Sequence, residues 1–443
     1  MRSRHDRLLD LAERRLSFAL DLGVAFRRLE NDKLDDATLT LDDRTLLDFS
    51  TCSYLGLSRD SRLKDAAIDA VQRYGASYSS SPAYTALPLY DDLEDQLHRM
   101  TGGAVALAQT TTLAHLAALP VLVGSEDLVL VDAQSHESLH LAMSVLRGNG
   151  VTVETVPHRD TVALAHRLAE TAGNFHRVWY VADGVYSMHG DTAPVEDVAA
   201  LQGVYPNLYT YYDDAHGFGW SGQHGRGYVL SKVPLNERMV VAAGLSKAFG
   251  ELGGVLVFGD GGLARKVRLL GGPLTFSGPI PPADLGAGVA SGEIHLSEEH
   301  EALQSRLMDD IDFVRSEILR LGIPVVSMES TPIWFVRVGS TEQTGDMMLR
   351  LIADGFFVNA AAYPLVPVGQ SGIRFIHTLR HGRQQITALV ESISRHLPEV
   401  GEEPHIVIDL RDEAEALISV EHEAADYSQP VGTHHRVRPA HRR

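Results

Sequence analysis

Only one cysteine, Cys52, occurs in the 443 residues of this chain. A single thiol forms no internal disulfide and excludes zinc or iron–sulfur centres built from several cysteines, so the composition fits a reducing compartment, by default the cytoplasm. Positive charge is also scarce: 39 lysines and arginines face 58 aspartates and glutamates, a net charge of −19 with neutral histidines. That balance argues against a nucleic-acid partner held through phosphate contacts, and the acidic surplus serves solubility. No window reaches the roughly 20 uninterrupted apolar residues that a membrane span requires. Residues 8–26 are apolar at helical spacing, but Asp10, Glu13, Arg14, Arg15 and Asp21 interrupt them, which fits an amphipathic surface or interface helix and not a signal-peptide core. A G-x-x-x-x-G-K-[ST] loop is missing as well, which excludes a P-loop ATPase, and no internal repeat marks a solenoid or propeller.

What is present is the composition of an ordinary globular chain, 44% hydrophobic and 22% charged, with enough apolar residues for a large core. From about Ser61, helical patterns alternate with short β-rich runs. Helices are expected at 62–74, 89–100, 112–122 and 138–147, and strands at 105–108, 128–132, 151–156, 177–182, 208–213, 239–243 and 255–259. Short apolar strands set between helices predict an α/β unit with a large, mostly parallel, seven-stranded sheet covered by helices. The prolines of 276–282 break that rhythm before a long helical stretch over 282–321. A strand at 333–338, a helix at 344–354, a strand at 373–378 and a helix at 382–397 then form a smaller α+β pattern. The expected organisation is an N-terminal helix and arm (1–60), a large α/β unit (61–282), a small C-terminal unit (283–398), and an acidic extension with a basic tail (399–443).

The strongest local signal is GLSKAFGELGG, residues 244–254, in which Lys247 stands among small, flexible residues just after an apolar strand. Lysines are ordinarily kept where water reaches them, and a surface-loop lysine satisfies this segment alone. A strand-end lysine in a glycine-rich turn also fits a Schiff-base former, because desolvation lowers the pKa of an ε-amine and makes it nucleophilic. In YYDDAHGFGWSG, Asp213, Asp214 and His216 follow a strand at its C-terminal end, the edge at which open α/β sheets bind ligands. Pyridoxal phosphate needs an acid that keeps its ring nitrogen protonated, since the pyridinium is an electron sink. Asp213 suits that role, His216 suits the ring's phenolic oxygen, and Lys247 suits the aldehyde carbon. Thr110, Thr111 and Thr112 precede a helical run and can hold a phosphate, or cap the helix and nothing more. His136, after the strand expected at 128–132, stands where an imidazole can stack on a cofactor ring or occupy an ordinary loop.

SYLGL from Ser53, DAQSHESL from Asp132, DGVYSMHGDTAP from Asp183, DDAHGFGWSGQHGRG from Asp213, GLSKAFGELGG from Gly244 and FSGPIPP from Phe276 together resemble, in order and spacing, the α-oxoamine synthases, a family of fold-type I pyridoxal-phosphate enzymes. The resemblance spans residues 45 to 397. It implies Lys247 as the imine-forming lysine and proton shuttle, Asp213 at the pyridine nitrogen, His216 at the phenolic oxygen and His136 stacked on the ring. Thr110, Thr111, Thr112, Asp183, Ser187 and Ser246 would complete the cofactor site. Ser277 would reach the phosphate of the neighbouring subunit, which implies a homodimer with shared active sites. Arg374, in SGIRFIHTL, corresponds to the arginine that anchors the amino-acid carboxylate, with Tyr54 and Ser81 as further substrate contacts.

The sequence also departs from the family pattern. Ser81 stands where arginine is expected, Thr85 for glycine, Tyr90 for histidine, Gly244 for a phosphate-binding threonine, Thr111 for a glycine and Ala362 for a second arginine. Losing two arginines disfavours an acyl group with a free carboxylate, and Tyr78, Tyr84 and Tyr90 suggest either a more apolar pocket or simple core packing. The expected reaction is a decarboxylating condensation of an α-amino acid with an acyl thioester, carried by coenzyme A or a carrier protein, to an α-aminoketone in lipid or specialised metabolism. Transamination on the same cofactor and a non-catalytic homologue are the alternatives.

Overall fold

The computed structural model describes residues 4–402 except 35, 36, 364 and 368, so nearly all of the acidic extension and tail expected from 399 lies outside the described residues. The amphipathic N-terminal pattern forms α1 (Arg4–Asp21). It leads into a hairpin of β1 (Thr38–Leu41) and β2 (Arg44–Asp48). The hairpin turns at Asp42 and Asp43, both at positive φ (51° and 56°), the conformation a two-residue hairpin loop demands and aspartate tolerates.

Next come α2 (Ser61–Tyr74), α3 (Pro88–Thr101), β3 (Ala104–Ala108), α4 (Thr111–Leu122), β4 (Leu128–Asp132), α5 (Glu137–Gly148), β5 (Thr152–Val156), β6 (Val178–Asp183), β7 (Leu208–Asp213), β8 (Met239–Gly244) and β9 (Gly254–Phe258). The seven expected strands make one sheet in the order β3-β9-β8-β7-β6-β4-β5, antiparallel only at the two pairings of β9. Its central strands are buried along nearly their whole length, Leu128 to Asp132 without an exposed residue, as a sheet covered on both faces requires. One apolar cluster packs each face, through Leu130, Tyr180 and Val241 on one side and Val131, Val181 and Ala242 on the other. Alternation of neighbours along each strand sends them there.

The stretch expected as one helix over 282–321 is two, Pro282–His295 and Glu298–Leu321. Glu298, Glu299 and Glu301 crowd the first turn of the second, where negative charge complements a helix N-terminus. The first packs on α2 and α3, and the second on the C-terminal helix Arg383–Glu402. A third apolar cluster, including Ile311, Trp334, Leu351 and Leu389, holds a smaller antiparallel sheet of β10 (Ile333–Gly339), β12 (Asn359–Ala361) and β13 (Ser371–Ile376). Between these strands β11 (Phe356–Phe357) pairs with β2, which ties the N-terminal hairpin to the C-terminal part. Among the described residues, no helix is long and apolar enough to cross a membrane.

Candidate active site

Since the parallel strands run the same way, their C-terminal ends meet along one edge, and there the side chains with chemistry collect. Asp183 ends β6 and Asp213 ends β7, directly opposite each other in register. Lys247 follows β8, and the first turn of α4 rises beside it. A cavity of about 190 Å³ at this edge is lined by Lys247, Asp213, Asp183, His216, His136, Ser246 and the three threonines 110 to 112.

The two aspartates are treated oppositely. Asp213 Oδ2 accepts from His115 Nε2 at 2.9 Å and Oδ1 from the backbone N–H of Ala215 at 3.0 Å. Burial alone would raise its pKa, but His115, that hydrogen bond and Lys247 bring it down to about 2. Among the described residues Asp183 accepts from the backbone N–H of His136 at 3.0 Å, and burial with the neighbouring Asp213 charge holds its pKa well up. Burial and charge thus push the two apart, Asp183 toward its acid form and Asp213 toward its carboxylate. Burial lowers the pKa of Lys247, with Asp213 opposing, so the amine gives up its proton more readily than a surface lysine. His216 is buried, its Nδ1 2.6 Å from the Tyr54 hydroxyl, and desolvation together with the Lys247 and Arg374 charges keeps it neutral. Desolvation also lowers the pKa of His136, which caps α5; its Nδ1 lies 2.7 Å from Ser138 Oγ.

Not every expected residue faces the cavity. Tyr54, read as a substrate contact, is wholly buried, and its hydroxyl is spent on His216. Ser81 donates to the carbonyl of Thr275 at 2.7 Å, and Ser277 to that of Pro273 at 2.5 Å. Ser277 and Ser187 are both outside the lining. Thr110 is the N-cap of α4, its Oγ1 accepting from Leu113 N–H at 3.2 Å, so capping accounts for that hydroxyl. Arg374, on β13, has one terminal nitrogen 3.7 Å from Cys52 Sγ, and its buried Nε has no hydrogen-bond partner among the described residues. Of the tyrosines in the altered segment, Tyr78 and Tyr90 pack against the large core and Tyr84 is 87% exposed, so core packing explains the first two.

One residue of the site was missed. His115 lies on α4 one turn after Thr111, wholly buried, bridging Asp213 and the Tyr211 hydroxyl, the latter 2.9 Å from its Nδ1. The available signal was the i,i+4 spacing that puts Thr111 and His115 on one face of the helix. The Gly244 and Thr111 departures also prove to be neighbours. A Cβ on Gly244 would sit 3.1 Å from both Thr111 Oγ1 and Ala215 Cβ, so the hydroxyl of Thr111 takes part of the space that a side chain at 244 would need.

These residues fit pyridoxal phosphate: an ionised acid for a ring nitrogen, a desolvated amine, and the N–H groups of a helix N-terminus for a phosphate. Comparison with known proteins agrees. Residues 44–393 match the family described as aminotransferase class I and II. The 8-amino-7-oxononanoate synthase of Symbiobacterium thermophilum is 32% identical over 364 residues, covering 82% of this chain and 91% of that protein. The serine palmitoyltransferase of Bacteriovorax stolpii is 30% identical over 373 residues, covering 84% and 86%. The solved serine palmitoyltransferase of S. paucimobilis, with a bound PLP–myriocin aldimine, shares the fold at TM-score 0.82 and 22% identity, covering 90% of this chain and 100% of that one. By family match and by close relatives along most of its length, the chain belongs to the class I and II aminotransferase family, in its α-oxoamine synthase group of fold-type I pyridoxal-phosphate enzymes.

Proposed function

We propose that this chain condenses an α-amino acid with an acyl thioester, the new C–C bond displacing the free thiol and the amino acid's carboxylate leaving as carbon dioxide, to give an α-aminoketone, using pyridoxal 5′-phosphate. The observation that carries the reading is a desolvated Lys247 in one cavity with Asp213, whose carboxylate His115 holds at 2.9 Å. The bound cofactor supplies the electron sink for negative charge at the amino acid's Cα. Asp213, steadied by His115, keeps a proton on the pyridine nitrogen. Lys247 Nζ takes the Cα proton and returns it after the new bond has formed. Neutral His216, oriented by Tyr54, donates to the ring's phenolic oxygen. Thr111, Thr112 and Ser246 hold the phosphate together with the free N–H groups of the first turn of α4. Arg374 anchors the substrate carboxylate, and His136, its Nδ1 engaged by Ser138, offers Nε2 to the acyl carbonyl.

The acyl group in this reading has no free carboxylate, because Ser81 and Ala362 bring no positive charge, and the product enters lipid or specialised metabolism. The enzyme works as a cytoplasmic homodimer. The exposure of Phe276, Leu269 and Leu270, at 92%, 59% and 63%, supports a second copy covering this part of the surface, beside Ser277. The test is mass spectrometry of products after incubating the cofactor-loaded protein with single amino acids and acyl thioesters. An aminoketone lacking the amino acid's carboxyl carbon, absent with Lys247→Ala, is expected. A keto acid formed without thioester would mean an aminotransferase, and no product with any pair would leave a non-catalytic homologue.

A further inference from the structure

The break between the helices Pro282–His295 and Glu298–Leu321 brings two histidines onto one backbone oxygen. His295 closes the first helix and His300 lies in the first turn of the second. Their ring centroids are 4.7 Å apart, and the Nε2 atoms of both lie 2.9 Å from the carbonyl of Gly219. Both side chains are wholly buried. His300 Nδ1 has no hydrogen-bond partner among the described residues, so the ring's one proton belongs on Nε2 and is donated to that carbonyl. Burial lowers the pKa of His300 and holds it neutral. His295 is neutral too, burial bringing its pKa down to about 3, and it divides its one proton between Gly219 and the carbonyl of Ser291, 2.8 Å from Nδ1.

Gly219 is the point at which the His216 loop touches the Lys247 loop. Its φ is +89°, and a Cβ there would stand 2.9 Å from both Ala248 Cβ and the Phe249 nitrogen, so only glycine permits the contact. The helix corner grips the chain on both sides of it. Ser291 donates to the carbonyl of Phe249 at 2.5 Å, and the His295 ring stacks on that of Phe249 with centroids 4.6 Å apart. Gln304, one turn after His300, donates to the carbonyls of Trp220 and Gly222 at 2.7 and 3.0 Å, while Trp220 Nε1 donates to the carbonyl of His216 at 2.6 Å. Five glycines between 217 and 227 leave this loop little stiffness of its own, so its shape depends on these side chains. None of the four, Ser291, His295, His300 and Gln304, lines the lysine cavity.

Resting on the roles proposed above for His216 and Lys247, we propose that His300, with His295 and Gln304, is a positioning residue that sets the His216 loop against the Lys247 loop. It keeps the His216 ring on the phenolic oxygen of a cofactor joined to Lys247.

The test reads the bound cofactor in the full-length protein, without substrate. A hydrogen bond donated to the phenolic oxygen draws electron density from the conjugated imine and lowers the pKa of its nitrogen, which the visible absorbance reports as a pH midpoint. The titratable or charged groups facing His216 are Tyr54, Lys247, Arg374 and His136, and the variants leave all four in place. His300→Ala should raise the midpoint by about 1 pH unit, and His300→Gln, whose amide can donate to Gly219, should restore most of the wild-type value. Gln304 is only half-buried, so Gln304→Ala tests the same grip even where His300→Ala fails to fold, and a smaller rise is expected from it. An unmoved midpoint in the alanine variants, or equal rises in His300→Ala and His300→Gln, would overturn the proposal and leave the histidines as packing. The readout needs no acyl donor. A protein that shows these shifts but condenses nothing would refute the proposed reaction and leave the positioning role standing.

Discussion

Asp183 and Asp213 face each other across β6 and β7, and the imidazole of His115, bonded to Asp213, does most to set them apart. His115 touches no cavity wall and works through Asp213. Replacing it by phenylalanine removes the hydrogen bond that lowers the Asp213 pKa, so the acid limb of the kcat profile should move upward from its wild-type position, with kcat down on the order of 10 to 100-fold. A pH–rate profile checks this, and a uniform loss of activity with an unshifted limb would speak for a merely structural histidine. The Gly244 and Thr111 pair makes a second prediction. Gly244→Thr should crowd Thr111 Oγ1, and Thr111→Ala should lose a hydroxyl contact worth roughly 1.5 to 3 kcal/mol to a charged phosphate. The double variant Thr111→Ala with Gly244→Thr should recover much of the cofactor affinity, measured by fluorescence titration; additive losses would refute the exchange. The meeting of Asp213, Lys247, His136 and His216 in one cavity was legible in the sequence, because all four lie at or just past strand ends expected at one edge of the sheet. The sequence did not reveal His115, whose role depends on a helix face turned toward a strand nearly a hundred residues away. Nor did it show that Tyr54 is spent inside the protein on His216.

His158 joins elements as His115 joins residues. Its Nδ1 lies 2.9 Å from Asp132 at the end of β4 and its Nε2 2.7 Å from Asp191, while Arg159 reaches on to Glu329 at 2.6 Å. Burial alone would lower the His158 pKa, but the two carboxylates raise it to about 9. A histidine raised in the folded state stabilises it fully below the unfolded value near 6.5, and that stability is lost as pH climbs through 9. Urea unfolding should therefore show the wild-type protein losing on the order of 2 kcal/mol between pH 6.5 and 9.5, and His158→Gln losing much less across the same window. Parallel slopes would contradict the clamp. At the helix Thr341–Ala353, Ser340 and Gln343 form a complete capping box, and Ser340→Ala should cost about 1 kcal/mol in the same assay. Strands β4 and β7 lie where their apolar runs put them, because a doubly covered strand is apolar throughout. The hairpin β1–β2 escaped notice because its alternation is short and its turn is Asp-Asp, without the glycine that usually signals one. The break at Leu296 and Ser297 escaped because helical periodicity continues on both sides.

At the scale of the whole molecule, fold class and family were legible because motif order and spacing fix which strand ends meet at one edge of a sheet. Substrate identity was not, since it rests on the few positions where the chain leaves the family pattern. If the face around Phe276 is the dimer interface, Phe276→Asp should shift the protein to monomers in analytical ultracentrifugation and lower activity at least tenfold. A dimer that survives unchanged would place the interface elsewhere. The central claim, that Lys247 is the residue on which the cofactor chemistry is built, has a direct test because the chain holds only five lysines, Lys33, Lys64, Lys232, Lys247 and Lys266. The protein is loaded with pyridoxal phosphate, reduced with borohydride, digested and mapped by peptide mass spectrometry. The account predicts one phosphopyridoxyl group per chain, on Lys247 alone; labelling of another lysine at that stoichiometry, or of none, would contradict it.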